Sequence, residues 1–468
     1  MFPNMRRLIS YLLLLFISLV SNAKEKPNII FIFSDDLGYA DLGSYGQKLI
    51  QTPHLDRLAA NGMRFTQMYS GSSLCGPSRC VLLTGKHTGQ ATVRHNQRAG
   101  DTLAPGELTW GSVLKQADYS TACIGKWGAG FNPPVTAPND HGFDYFYGYT
   151  DMWHAHNSYP EFLVRNGESV PLRNEVVRLE GHHKYPLVGY ASKKVDFSQE
   201  LTTEEAINWM DNQEGPFCLY LPYTIPHENG EAQFEDFRIE VPDLGVYADR
   251  PWEKDERAKA ALVTYLDEQV GKVVGFLEEK GLLQNTLIMF TSDNGAGTQW
   301  HDLFESNSPF RGGKRNFLEG GIRVPFIAHW PAKIESGSVS HHVGAFWDIL
   351  PTLADLGGAA TPADVDGISF APTLLGHGPQ AQHEYLYWEL PDPRRVEQAL
   401  RWNRWKLLKF TEGDLVSFEL YDLLGDPGER FDVASYNGPL VAKMSSMMEQ
   451  ARTSYETSPY PSTPFAQP

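Results

Sequence analysis

Two distant stretches of the chain repeat one pattern, a continuous apolar run of strand length that stops on a pair of oxygen-bearing side chains. Asn28-Ile-Ile-Phe-Ile-Phe-Ser34 runs into Asp35-Asp36, and Thr286-Leu-Ile-Met-Phe-Thr-Ser292 runs into Asp293-Asn294-Gly295. A strand with one wet face alternates apolar and polar residues. A strand lacking that alternation is buried on both faces, as in a parallel sheet covered by helices on each side. Sheets of that kind gather ligands at the carboxyl ends of their strands, where both pairs fall. Adjacent carboxylates repel unless a cation sits between them, and hard oxygen donors suit Ca2+ or Mg2+. Taken alone, Asp35-Asp36 reads equally well as a solvated turn.

Two further runs have the same character. Thr121-Ala-Cys-Ile-Gly ends on Lys126, and Phe217-Cys-Leu-Tyr-Leu-Pro-Tyr223 leads through Thr224-Ile-Pro to His227. Between the runs lie helical signals. Thr202-Thr-Glu-Glu205 has capping-box spacing and predicts a helix starting at Thr202. Leu262, Leu266, Val270, Val273, Val274 and Leu277 share one face of a helix over 256–280 that Gly281 stops. Near 376–382 the composition turns to Gly, Pro and Gln, a linker. Beyond it, short strands at 385–389, 399–402, 405–410 and 418–421 precede a helix over 439–456. The expected fold is α/β, a large mixed, mostly parallel sheet sandwiched by helices over 24–376. A small C-terminal α+β domain with an antiparallel sheet follows over 383–468.

A length of 468 residues suits that division, and a formal net charge of -17 would repel a polyanion, which argues against nucleic acid as partner. Any anion pocket must therefore be locally cationic. Arg6-Arg7, the apolar run Leu8–Val20 and small residues at 21–23 read as a signal peptide over 1–23. The run is short for a membrane span, so no stable membrane insertion is expected and the mature chain is periplasmic or secreted. Of the four cysteines, Cys80, Cys123 and Cys218 lie in apolar patterns and read as packed free thiols.

The fourth lies in Cys75-Gly-Pro-Ser-Arg79-Cys-Val-Leu-Leu-Thr84-Gly85, after the Gly/Ser coil 70–73. Pro77 is expected near the first helical position with Cys75 just ahead of it. Backbone N–H groups then point at whatever Cys75 carries, a setting for an anion. Cys75, Pro77, Ser78, Arg79, Thr84 and Gly85 together resemble the signature of the sulfatase family, in which the cysteine is oxidised to formylglycine. The resemblance implies an alkaline-phosphatase-like fold and a maturation enzyme that makes the aldehyde. It makes Asp35, Asp36, Asp293 and Asn294, with position 75, the ligands of a divalent cation, Ca2+ ahead of Mg2+. Arg79 assists the nucleophile at 75, Lys126 and Lys314 bind sulfate, and His227 protonates the leaving oxygen. Lys314 lies in Phe310-Arg-Gly-Gly-Lys-Arg-Asn-Phe-Leu-Glu-Gly-Gly-Ile-Arg-Val-Pro325, a second stretch that resembles the family.

One departure stands out. Many members carry histidine two residues after the first lysine, and this chain has Gly128. His154 and His156, in the aromatic stretch Trp153-His-Ala-His-Asn-Ser-Tyr159, are the candidates to replace it or to line a sugar site. A sulfated carbohydrate, such as a galactose or N-acetylgalactosamine sulfate in a polysaccharide or oligosaccharide, is the implied substrate. A phosphoester or phosphonate hydrolase of the same superfamily is one alternative. A non-catalytic binder of sulfated glycans with unmodified Cys75 is another.

Overall fold

The computed structural model describes residues 26–96, 102–129, 137–179, 187–230, 238–392 and 394–453. The expected signal peptide over 1–23 and the last residues of the expected closing helix lie outside them. Ten strands form one sheet, in the order 338–340, 63–65, 326–329, 286–292, 28–34, 217–222, 120–126, 145–149, 162–165 and 168–171. The five central strands, from Thr286–Ser292 to Tyr145–Tyr149, run parallel. Antiparallel strands flank them on both sides.

The lack of alternation in the central strands has the expected cause. Ile29, Phe31 and Phe33 enter one core, with Leu287, Met289, Cys218 and Tyr220. Ile30 and Ile32 enter a second core on the opposite face, with Ile288, Phe290, Leu219 and Leu221. Successive side chains of a strand point to opposite faces, so a core on each face requires an apolar residue at every position. The helix Lys254–Glu279 covers the second face through Leu262, Leu266, Val270, Val273, Val274 and Leu277. Residues 75–84, also a helix, cover the first face.

Two helix starts differ from expectation. Cys75 is itself the first residue of the helix Cys75–Thr84, and Pro77 sits two residues later, still in the first turn where a missing N–H leaves no bond unmade. Ser198, not Thr202, begins the helix that runs to Asp211. Thr202 and Thr203 are buried, and the Thr203 hydroxyl bonds the Gln199 carbonyl at 3.1 Å and Tyr223 Oη at 2.8 Å instead of capping a helix end.

Strands Leu386–Pro391, Val396–Trp402, Trp405–Glu412 and Leu415–Asp422 form a separate antiparallel meander. One face of it packs on the helix Gly438–Ala451 through Leu400, Leu407, Leu420, Met444 and Met448. Trp388, Ala399, Leu408 and Tyr421 on the other face join the core of the large sheet. All four cysteines are free thiols. Among the described residues no helix is long and apolar enough to cross a membrane.

Candidate active site

Four neighbouring parallel strands deliver their carboxyl ends to one place. Ser34 hands over to Asp35-Asp36, Ser292 to Asp293-Asn294, the third strand ends on Lys126, and the fourth leads to His227. The helix starting at Cys75 faces the same edge. One ligand atom each from Asp35, Asp36, Cys75 and His227 lies within 4.8 Å of the others. Lys314 arrives on its glycine-flanked loop, with its backbone N–H 3.1 Å from the Ala296 carbonyl.

Three cations neutralise this acidic edge. Asp35 Oδ2 accepts from Lys126 Nζ at 2.6 Å and from Arg79 Nη2 at 3.2 Å. Arg79 also donates to Asp293 Oδ2 at 3.0 Å and to the Lys126 carbonyl at 3.0 Å, while its guanidinium lies 5.0 Å over the Phe33 ring. Lys314 Nζ meets Asp36 Oδ2 at 2.6 Å and His227 Nε2 at 2.9 Å. Burial alone would raise the pKa of Asp35. Lys126, with Arg79 and Lys314, outweighs it and holds that carboxyl well below the usual range. Asp293 goes the other way: burial, with the charge of Asp35 added, pushes it up to about 7.

The thiol of Cys75 is buried and donates to Asp35 Oδ1 at 3.4 Å. Burial, then Asp293 and Asp35, raise its pKa well above the ordinary value. A cysteine so placed stays protonated and is a poor nucleophile as a thiol. His227 has its Nδ1 2.6 Å from the Glu228 carbonyl, which only accepts, so Nδ1 carries the proton and Nε2 faces Lys314 with its lone pair. Burial and then the Lys314 charge lower its pKa to about 3, in keeping with a neutral ring.

The donor set fits a hard divalent cation. Asn294 Nδ2 donates to Asp36 Oδ1 at 2.7 Å, yet Asn294 Oδ1 is buried without a hydrogen-bond partner. An orphaned amide oxygen beside three carboxylates, one of them pushed towards neutrality by burial and by its neighbour's charge, suits a hard divalent cation.

The structure brings together Cys75, Arg79, Lys126, His227, Lys314 and the two oxygen pairs. It separates the two loop histidines. The ring of His156 stacks on that of His227, with centroids 4.3 Å and planes 19° apart. His154 does not join the site, contrary to expectation. Its ring is buried against Tyr149 and Phe162, with Nε2 3.7 Å from Glu161. Alternate residues of one short turn cannot face the same way, and the hydrophobic rings claim His154. Gly128 has φ 65°, and a Cβ there would lie 2.5 Å from Arg79 Cδ, so the arginine fills the space that a side chain at 128 would need.

Two polar residues at the site were not legible as such. Asn96 Oδ1 accepts from the Gly76 N–H at 2.8 Å, and no motif marks it. Lys259, fully buried, donates to the Asp36 carbonyl at 3.4 Å. A signal existed there, since Lys259 sits three residues before Leu262 and seven before Leu266, on the apolar face of its helix.

The family model "Sulfatase" matches residues 27–359, and "N-sulphoglucosamine sulphohydrolase, C-terminal" matches 312–456. The chain belongs to the sulfatase family. As a sulfatase it is a sulfuric ester hydrolase. It is 32% identical to N-acetylgalactosamine-6-sulfatase of Canis lupus familiaris over 376 residues, which cover 76% of this chain and 67% of the relative. It is also 32% identical to arylsulfatase A of Bos taurus over 464 residues, covering 88% and 84%. Among solved structures, Ps i-CgsB in complex with k-i-k-neocarrahexaose superposes with a TM-score of 0.75 at 28% identity, covering 91% of this chain and 92% of that one. A Pseudoalteromonas sulfatase, PsFucS1, gives 0.72 at 25% identity, covering 95% and 93%.

Proposed function

We propose that this sulfatase is an exported enzyme that hydrolyses a sulfate ester on a carbohydrate, using formylglycine at position 75 and Ca2+. The observation that carries the chemistry is the meeting of Cys75 and Asp35, at 3.4 Å, with Lys126 and Lys314 each 2.6 Å from a carboxylate of the same acidic pair. Asp35, Asp36, Asp293 and Asn294 would hold the cation. When bound, it offsets charge on the sulfate oxygens and eases ionisation of a hydroxyl beside it. Oxidised by a maturation enzyme, position 75 supplies a hydrated aldehyde in place of an inert thiol.

The residues of the chain do the rest. Arg79 is locked by Asp35 and Asp293 and presents a fixed positive charge behind position 75. Lys126 and Lys314 stand on either side of the acidic pair and take up the charge of the sulfuryl group as it leaves its oxygen. His227 is the group that protonates the departing alkoxide once its Nε2 carries a proton, while Lys314, 2.9 Å away, keeps its own proton and its charge. The sugar reading rests on the relatives, one acting on N-acetylgalactosamine 6-sulfate by name and one solved with an oligosaccharide. His156, partly exposed beside Trp153 with ring centroids 5.2 Å apart, would face the sugar.

Peptide mass spectrometry across position 75, on protein co-expressed with a maturation enzyme, tests the nucleophile. Turnover of a panel of sulfated mono- and oligosaccharides beside aryl sulfate and aryl phosphate tests the substrate. An intact thiol with glycan binding and no turnover would overturn the enzymatic chemistry in favour of a binder. Faster turnover of the phosphate would overturn the sulfate assignment.

A further inference from the structure

Asp35 and Asp36 follow an extended strand, where successive side chains point to opposite faces. Yet they contribute ligand atoms within 4.8 Å of each other to one cluster. The chain must turn to bring them together, and it does so at Asp36, whose φ of 63° is left-handed and unusual for any residue with a Cβ. That turn is held by three donors. Asp36 N–H bonds Asp293 Oδ1 at 3.1 Å, and Leu37 N–H bonds Ser292 Oγ at 2.9 Å. The third donor comes from outside the two strand ends: Lys259 Nζ lies 3.4 Å from the Asp36 carbonyl oxygen.

Lys259 is an odd residue for its place. It is fully buried on the helix Lys254–Glu279, with its ammonium 5.9 Å over the Trp300 ring. Its counter-charge is Asp41 Oδ2 at 3.6 Å, and that same oxygen accepts from the Gly38 N–H at 2.9 Å. The ammonium therefore ties the first peptide of the 36–41 loop to its last residue. A buried ion pair is weak evidence for stability, because desolvation offsets the attraction and an apolar residue would pack as well. Lys259 reaches the cation site only through the main chain of Asp36.

We infer that Lys259 is a positioning residue for the cation site, fixing the left-handed turn that swings Asp36 onto the same side as Asp35. The inference rests on the Ca2+ reading above, and the test separates the two. Chelator-stripped full-length protein is titrated with Ca2+ by calorimetry, for the parent, Lys259→Met, Lys259→Met/Asp41→Asn and Lys259→Arg. The double variant removes both charges and so leaves no buried carboxylate unpaired if the single variant does not fold. The expected result is a loss of roughly tenfold or more in Ca2+ affinity for the methionine variants, the size seen when outer partners of metal ligands are removed. Lys259→Arg, which keeps the charge, is expected to recover most of it. A folded methionine variant with the parent's affinity overturns the inference. So does an arginine variant as weak as the methionine ones, since packing would then be the cause. A parent that takes up no Ca2+ overturns the cation reading and this role with it.

Discussion

His156 lies flat against His227, with ring centroids 4.3 Å apart and planes inclined by 19°. The stack closes the open side of a ring whose Nε2 is 2.9 Å from Lys314 Nζ and whose Nδ1 is fixed by the Glu228 carbonyl. An aromatic pair of this geometry contributes about 1 kcal/mol beyond simple burial, or roughly fivefold in a rate. His156→Ala is therefore expected to lose about fivefold in kcat/KM on an aryl sulfate, with His156→Phe much closer to the parent. Steady-state kinetics with equal losses in both variants would refute a stacking role.

Gly128 and Arg79 are matched. The glycine has φ 65°, and a Cβ built on it would lie 2.5 Å from Arg79 Cδ and 3.0 Å from its Nε. Arg79 has no room to retreat, because Asp35, Asp293 and the Lys126 carbonyl hold its three nitrogens. Gly128→Ala is expected to cost about 2 kcal/mol in unfolding free energy from backbone strain alone. Gly128→His, which supplies the histidine that the family resemblance leads one to expect there, is expected to lower kcat instead of raising it. Denaturant titration and kinetics on both variants decide the matter, and a faster histidine variant of unchanged stability would sink it.

The central strands were legible because burial on both faces leaves no choice of residue, and their polar ends stand out against an apolar run. Lys126 ends such a strand, and Asp35, Asp293 and His227 lie one to five residues past one. The side on which a loop residue faces was not legible. His154 and His156 are equivalent in sequence, and only packing against Tyr149 and Phe162 sends the first inward. The helix at Ser198 began four residues before its capping-box motif, with Thr202 buried inside it and Thr203 bonded to Tyr223 at the neighbouring strand's end. Such long-range pairings override local signals.

The meander is tied to the active-site side by a buried charge cluster. Lys406 Nζ is 2.9 Å from both Glu319 Oε1 and Glu429 Oε1, and Tyr69 Oη donates to Glu319 Oε2 at 2.6 Å. Burial opposes the charge on Glu319, but Lys406, Arg323 and Arg401 outweigh it and hold its pKa down to about 2. Burial, which Lys406 only partly offsets, pushes Glu429 up to about 7, with Glu319 adding to the rise. A carboxyl whose folded pKa lies above its unfolded value of 4.5 binds its proton more tightly when folded. Its stabilising contribution is complete below pH 4.5 and is lost as pH rises through about 7. Glu429→Gln is expected to flatten the stability profile across that window. Lys406→Met, which leaves two buried carboxylates facing each other, is expected to cost about 3–5 kcal/mol. Urea unfolding at a series of pH values measures both. A profile for Glu429→Gln as steep as the parent's would contradict the assignment.

Asn294 gives the sharpest test of the cation, because its two amide atoms do different work. Its Nδ2 already bonds Asp36 Oδ1 at 2.7 Å and the Gly295 carbonyl at 2.9 Å, whereas Oδ1 is buried and unpartnered. A ligand that binds only the folded state stabilises it by RT ln(1 + [L]/Kd), about 2.7 kcal/mol at a hundredfold excess over Kd. The parent is expected to melt at a higher temperature when Ca2+ is added after chelation. Asn294→Ala loses the same two donated bonds with or without Ca2+, so its effect on the chelated protein measures those bonds alone. The Ca2+-dependent rise reports what the Asn294 side chain gives to cation binding, its Oδ1 together with its hold on Asp36. That rise is expected to shrink in Asn294→Ala. A variant that keeps the parent's full rise would mean that Oδ1 binds no cation, and the orphaned oxygen would need another partner.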